Sequence, residues 1–361
     1  MNIAGCRKEL QGFINESKLA KCKVVVLPDF FLDRLINLNL NPLVFSKIIM
    51  DVAMRKGGSI DGIPQTDMRG GNAVNVASAL SNLGADVTPI VCTSNYGLEQ
   101  IKFHFKEMSI DTSHIKVNDK ASITTALEFK NKGEKTNVML RDLGSLSSFG
   151  PDDLDERDYA LIEVADFVCL FNWAGTFKFG TALAQAVFGR AKVNGVGRTY
   201  FDTADPTPNK NGIPELIKTI LESAKLDILS LNENEAIVYA SFYEETLIAE
   251  REKVSPPELA LEAARILASH FSARIDLHTT AFSATLKNKT EVVAPSFKVK
   301  ALRATGAGDV WTAGNILGDK YCLSDECRLT LANAVSACYL SDPDGKHPTW
   351  TKLFQFLKDN A

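Results

Sequence analysis

The stretch "RATGAGDVWTAGN", residues Arg303 to Asn315, follows an apparent strand and runs into a helical pattern. Gly306 and Gly308 flank Ala307 in a turn whose backbone can bend closely and aim N–H groups into one concavity. The helix behind it, with Val310, Ala313, Gly314, Leu317 and Tyr321 on one face, adds its positive N-terminal end. Together these form an anion site suited to a phosphoryl group. Asp309 stands directly after the turn, where a carboxylate is either a helix cap or a base for an attacking hydroxyl. The spacing excludes a dinucleotide fingerprint, since Gly-x-Gly-x-x-Gly never occurs, and no Walker Gly-Lys-Ser/Thr follows.

Around this stretch the chain reads as a layered α/β protein. Short, nearly continuous apolar runs at 23–29, 86–94, 166–172, 198–204, 226–232 and 273–280 fit strands covered on both faces. Helical patterns separate most of them. Ala73, Val76, Ala77, Leu80 and Leu83 keep helical spacing and Gly84 stands at the stop; residues 256–271 form a second such helix opened by prolines. The alternation predicts a doubly wound, mostly parallel sheet flanked by helices. Two segments break the rhythm. Residues 122–141 read as a hairpin turning at Asn131–Gly133, and residues 47–71 read as extended, with Gly57–Gly58 as a turn. These are expected to form a small β lid from excursions at about 38–69 and 120–141 of one domain spanning 21–361. Residues 1–20 read as an amphipathic helical extension with Leu10, Phe13, Ile14 and Leu19 on its apolar side.

At 361 residues, 45% hydrophobic and 23% charged, the chain can bury a sizeable core. A net charge of -4 gives no electrostatic reason to expect a nucleic-acid or membrane partner. The seven cysteines are scattered without a C-x-x-C pair, and the five histidines show no zinc-ligand spacing. No run of 18 apolar residues and no signal-peptide pattern occurs, so a reduced, cytoplasmic setting is expected.

Two further clusters carry chemistry. In "RGGNAVNVASALSNLG" (69–84), Gly70 and Gly71 form a tight turn into a helix whose polar side holds Asn72, Asn75 and Asn82. Asn72 fits a helix cap; Asn75, with donor and acceptor just inside the helix, suits a sugar hydroxyl. Asp33 follows the first strand, at the carboxyl edge where open parallel sheets bind ligands, and it reads equally as a solvated loop aspartate.

The order and spacing of these clusters resemble the ribokinase-like, or PfkB, family of carbohydrate kinases, over roughly residues 22–350. Gly70, Gly71, Asn72 and Asn75 match the N-terminal signature of that family, and Thr305–Asp309 match Thr-Gly-Ala-Gly-Asp at the heart of the C-terminal one. Asn232 and Glu235 in "LNENE" match its Asn-x-x-Glu element. The resemblance implies a kinase using ATP and Mg2+ on a sugar or sugar-like acceptor. It implies Asp309 as base, with Gly306, Ala307 and Gly308 receiving the developing charge. It implies Asp33, Gly71, Asn72 and Asn75 around the acceptor, with Arg141 reaching an acidic substrate group or the phosphate. Asn232, Glu235, Thr279, Thr305, Gly308 and Asn333 are implied on the nucleotide side, Glu235 meeting the metal through water. Lids of this type often pair, which makes a homodimer an expectation.

Three departures stand out. Relatives carry an aspartate where Arg303 lies, and in cation-dependent members it helps hold a potassium-type ion. An arginine there removes a ligand and brings a fixed charge, so no monovalent cation is expected to be needed. The segment Asp276–Thr280 lacks the usual glycines, and Pro28 replaces the glycine ending strand one. Two alternatives to a sugar kinase stay open. One is a nucleoside kinase stacking a base on Phe30, Phe31, Phe171 or Trp173; the other is a silent sugar sensor, which the intact Asp309 disfavours. Asp309 is expected both to cap its helix and to act as base.

Overall fold

The computed structural model describes residues 3–16, 21–131, 134–195, 197–250, 254–303 and 305–360. Its strands, in chain order, begin with β1 (Lys23–Leu27), β2 (Phe31–Asn37), β3 (Gln65–Gly70), β4 (Asp86–Pro89), β5 (Cys92–Thr93) and β6 (Lys116–Val117). The lid hairpin supplies β7 (Ser122–Asn131) and β8 (Glu134–Asp142). The remaining strands are β9 (Phe167–Phe171), β10 (Arg198–Asp202), β11 (Ile228–Leu231), β12 (Arg274–His278), β13 (Phe282–Lys287) and β14 (Thr290–Pro295).

The main sheet has eight strands in the order β14-β13-β12-β11-β10-β9-β1-β4. From β12 to β4 every pairing is parallel, and β13 and β14 continue it antiparallel. Alternation along the strands divides the core between the two faces. Val25, Leu27, Val168, Leu170, Phe201 and Leu229 point to one layer, and Val24, Val26, Phe167, Cys169, Tyr200 and Ile228 to the other. That double coverage explains why the central strands read as unbroken apolar runs. The expected strand at 86–94 is split at Pro89 into β4 and β5.

A second sheet, in the order β3-β2-β7-β8, stands off the first. β2 pairs antiparallel with β3 and parallel with β7, which joins the two excursions into one layer. β2 itself was not among the expected strands. The turn of the 122–141 hairpin at 132–133 lies outside the described residues.

One reading of the lid is corrected. Part of the stretch expected to be extended, 47–71, is helical: helix Pro42–Met54 occupies it through residue 54. Asn41 accepts the Leu43 N–H and Pro42 opens the first turn, a start signal that outweighs the β-branched run behind it. None of its residues is fully buried; Phe45, Ile48 and Val52 form a half-buried face, but exposed Leu43, Val44, Ile49, Met50 and Met54 blur its period. Helix Ile3–Glu16 docks through Cys6 and Leu10, which enter the core beside Cys327. The side chains of Phe13 and Ile14, and Leu19 altogether, lie outside the described residues. No helix among the described residues is long and apolar enough to cross a membrane.

Candidate active site

The site lies at the carboxyl ends of the parallel strands, beneath the lid sheet. It is built around helix Asn72–Asn82 and helix Ala307–Lys320, which pack against each other. Gly71, at φ +99, turns the chain into the first helix; a Cβ there would lie 2.7 Å from the Asp29 carbonyl oxygen, so only glycine fits. The orphan N–H groups of that helix are taken from across the sheet. Buried Asp29 accepts Asn72 N–H on Oδ2 and Ala73 N–H on Oδ1, each at 2.9 Å, and Asn172 Nδ2 also donates to it. Asn72 is therefore the first helical residue rather than the cap, and its amide is free to work elsewhere.

That amide meets Asp309. Asn72 Nδ2 donates to Asp309 Oδ1 and Asn75 Nδ2 to Oδ2, both at 2.9 Å. Three residues apart on one helix, the two amides share a face and grip both carboxylate oxygens. Asn82, on the same polar side, instead donates to the His347 carbonyl. Asp309 is only 8% exposed. Burial pushes its pKa up to about 8; Asn75 and Asn72 pull it down, while Asp202 and Asp29 add to the rise. The capping half of the expectation for Asp309 is corrected: the N-cap is Gly306 at φ +81, and no side chain caps this helix. Both Asp309 oxygens are instead held by the Asn72 and Asn75 amides.

On the lid, Asp33 is half-buried, with Oδ1 sealed and unpartnered. Burial raises its pKa to about 6, against the Thr124 hydrogen bond and the charge of Arg141. A Cβ on Gly70 would fall 2.1 Å from Asp33 Oδ2, which explains a second glycine before Gly71. The Arg141 guanidinium lies over the Phe31 ring, 4.9 Å from its centroid.

On the other flank a cleft of about 440 Å3 is lined by Asn232, His278, Thr279, Ala307, Gly308, Trp311 and Asn333, among others. Several of the expected nucleotide-side residues are already engaged within the chain. Asn232 and Glu235 form a reciprocal cap: Glu235 N–H donates to Asn232 Oδ1, while Asn232 N–H and Nδ2 donate to the Glu235 carboxylate. Glu235 is buried, and its pKa is raised by burial and then by Asp202. The Thr279 hydroxyl closes the β12–β13 turn, bonding Phe282 O and the N–H groups of Ala281 and Phe282. Asn333 Oδ1 accepts from Ser283 and Trp311, and its Nδ2 donates to Ala294 and Pro295 carbonyls. Its amide is saturated, so it offers the cleft a wall. The Thr305 carbonyl accepts from Tyr339 Oη.

Three residues of the site escaped the sequence reading. Asp29 and Asp202 both end parallel strands, the same signal that singled out Asp33. Asp202 is buried, raised by that burial to about 6, and bonded through Oδ1 to Ala204 N–H. His278 ends β12 against Gly308, its Nε2 unpartnered and its pKa lowered by burial to about 4. The residues present fit a magnesium ion. Asp202 and Glu235 share charge that each resists, and the Asn172 side-chain oxygen is buried without a partner. Among the described residues no cluster of three or more His, Cys, Asp or Glu could hold a metal alone. Magnesium requires no such cage when phosphates and water complete its shell.

The chain thus combines a doubly wound sheet, a glycine turn entering a helix, a buried carboxylate and a second small sheet. The pfkB family carbohydrate kinase model matches residues 43–352, and the chain belongs to that family. It is a phosphotransferase that uses ATP to phosphorylate an alcohol group of a sugar-like molecule. Solved structures share the fold at low identity. A probable sugar kinase from Rhizobium etli is 15% identical with a TM-score of 0.71, over 94% of this chain and 99% of that one. Arabidopsis thaliana ribokinase complexed with ribose and ATP is 15% identical with a TM-score of 0.70, over 94% and 99%. Adenosine kinase from Sinorhizobium meliloti is 15% identical with a TM-score of 0.69, over 95% and 100%. No curated protein sequence matches the chain.

Proposed function

We propose that the protein transfers the γ-phosphoryl group of ATP, with Mg2+, to a hydroxyl of a sugar or sugar-like acceptor, with Asp309 as base. The observation that carries this reading is the buried Asp309 carboxylate, held by Asn72 and Asn75 one turn from the Gly306–Gly308 backbone. A base must be close to the proton it takes and must not be neutralised by a fixed cation. The second condition supports Asp309, since amides, not an arginine or lysine, hold it. The acceptor lies between Asp33 on the lid and the Gly71–Asn75 turn, where the Asp33 carboxylate takes a hydroxyl hydrogen bond. Arg141 reaches a polar or acidic group of the acceptor from β8. The nucleotide occupies the cleft below His278 and Trp311, with its terminal phosphate on the N–H groups of Ala307 and Gly308.

Asp202 and Glu235 would hold magnesium through its waters, with Asn232 keeping Glu235 in place, and the ion would supply charge neutralisation for the phosphates. The lid sheet excludes water that would otherwise hydrolyse ATP. A nucleoside acceptor loses its expected base platform, because Phe30, Phe171 and Trp173 are core residues and Phe31 lies under Arg141. Pairing of two lids is supported by the exposed Ile123, Val138 and Leu140 beside the free edge of β8. Light scattering at micromolar concentration reads that dimer directly, and a monomer removes it.

The test is ATP consumption, with and without magnesium, across sugars, polyols, sugar acids, sugar phosphates and nucleosides, beside Asp309→Asn. Acceptor-dependent turnover that collapses in the variant is the expected result. Stabilisation by an acceptor without turnover would make the protein a sugar sensor instead.

A further inference from the structure

One cation beside Asp309 makes no ion pair among the described residues. Arg69 closes β3 on the lid, one residue before the glycine pair. The residue is half-buried, and burial lowers its pKa to about 10. Its one hydrogen bond among the described residues runs from Nε to Asn75 Oδ1, at 3.4 Å. Phe105 lies against it, 5.8 Å from Cζ to the ring centroid. Its charge is felt by Asp309 and Tyr339, and by His104 and His347, yet no carboxylate bonds it.

A half-buried guanidinium without a paired anion is held at some cost, and arginine does not escape by losing its proton. The nearest carboxylate, Asp309, is already held by two amides. Tyr339 lies within electrostatic range of Arg69, and its hydroxyl donates to the Thr305 carbonyl beside the anion turn. With Nε engaged by Asn75, both Nη groups remain for a ligand, in the planar fork that matches two oxygens of one phosphate.

We propose that Arg69 grips the phosphoryl group as it is transferred, its Nη groups donating to non-bridging oxygens. This rests on the kinase reading above. In the step, the bond from the acceptor oxygen to the γ-phosphorus forms and the bond from that phosphorus to the bridging oxygen breaks. The electron pair leaves with the nucleoside diphosphate, the hydroxyl proton passes to Asp309, and Arg69 gives up no proton. Because Arg69 rides on the lid sheet, this contact also ties phosphoryl transfer to a lid in place.

Arg69→Ala and Arg69→Lys test this under saturating ATP and acceptor. The expected kcat falls about a hundredfold or more in Arg69→Ala, with both KM values within about threefold, and Arg69→Lys lies between. Guanidinium ion at about 50 mM restores the alanine variant roughly tenfold and leaves Asp309→Asn unchanged. A kcat within about threefold of the parent, or a loss that guanidinium does not relieve, overturns the proposal. If the parent protein turns over no acceptor, the kinase reading fails separately. Inorganic phosphate, titrated by phosphorus NMR, then decides for Arg69: weaker binding in Arg69→Ala by about tenfold supports it, and equal binding overturns it.

Discussion

Replacing Asp309 by asparagine separates the energetic burden of the base from its chemistry. Burial moves the carboxyl from an ordinary 3.8 to about 8 in the folded protein. Ionising it there is therefore disfavoured by on the order of 5 kcal/mol relative to the unfolded chain. Because the folded pKa is the higher one, this stability is fully present below pH ~4 and is lost progressively as pH rises to about 8. Asparagine is the matched comparison for the protonated form, since each has one donor and one acceptor for Asn72 and Asn75. The variant is thus expected to equal the parent in stability near pH 4 and to exceed it increasingly up to pH 8. For 361 residues the entropy of unfolding is ~0.8 kcal/mol/K, so the plateau reads as roughly 6 °C in Tm, with about half reached by pH 6. Differential scanning calorimetry of both proteins from pH 5 to 9, without ligand, measures it. A Tm difference that stays flat with pH would refute the reasoning, because the carboxylate would then carry no burial penalty. Turnover should vanish in the variant at every pH.

Three other outcomes follow from particular contacts. Asn75→Leu removes a charge-assisted hydrogen bond from Asp309, so its pKa rises; the acidic limb of kcat/KM should move up by about one pH unit, with turnover at pH 7 down roughly tenfold. Gly70→Ala places a methyl group against the Asp33 carboxylate, and acceptor KM should rise about tenfold or more while ATP KM stays put. Arg303 donates to the Asp342 and Pro343 carbonyls, and Gly345 leaves room for its guanidinium, so a fixed cation already serves this loop. Rates in potassium and in an inert salt should therefore agree within about twofold, and a strong rise with potassium would refute this.

Much of the architecture was legible because central strands buried on both faces must be apolar throughout, and because Gly84 and Gly306 mark places where the chain needs a left-handed residue. The helix at 42–54 was misread for the opposite reason: exposed apolar residues such as Leu43, Val44, Ile49 and Met50 hide the period of its half-buried face, and Asn41 and Pro42 are its clear start signal. Asp29 was passed over because its partners, Asn72 and Ala73, are local only in space. Thr279 and Asn333 look available in the sequence, yet their polar atoms are engaged by the turn and core around them.

The sequence by itself determined the glycine turn before Asp309, the asparagine pair at helical spacing and the strand–helix order, since each is a local demand of backbone geometry. Only the tertiary structure decided what Asp309 is. Its bonds to Asn72 and Asn75 span 237 and 234 residues, and its raised pKa exists only where folding removes water from the carboxylate. A residue's type sets which proton it can take; its burial and its distant partners set whether it takes it.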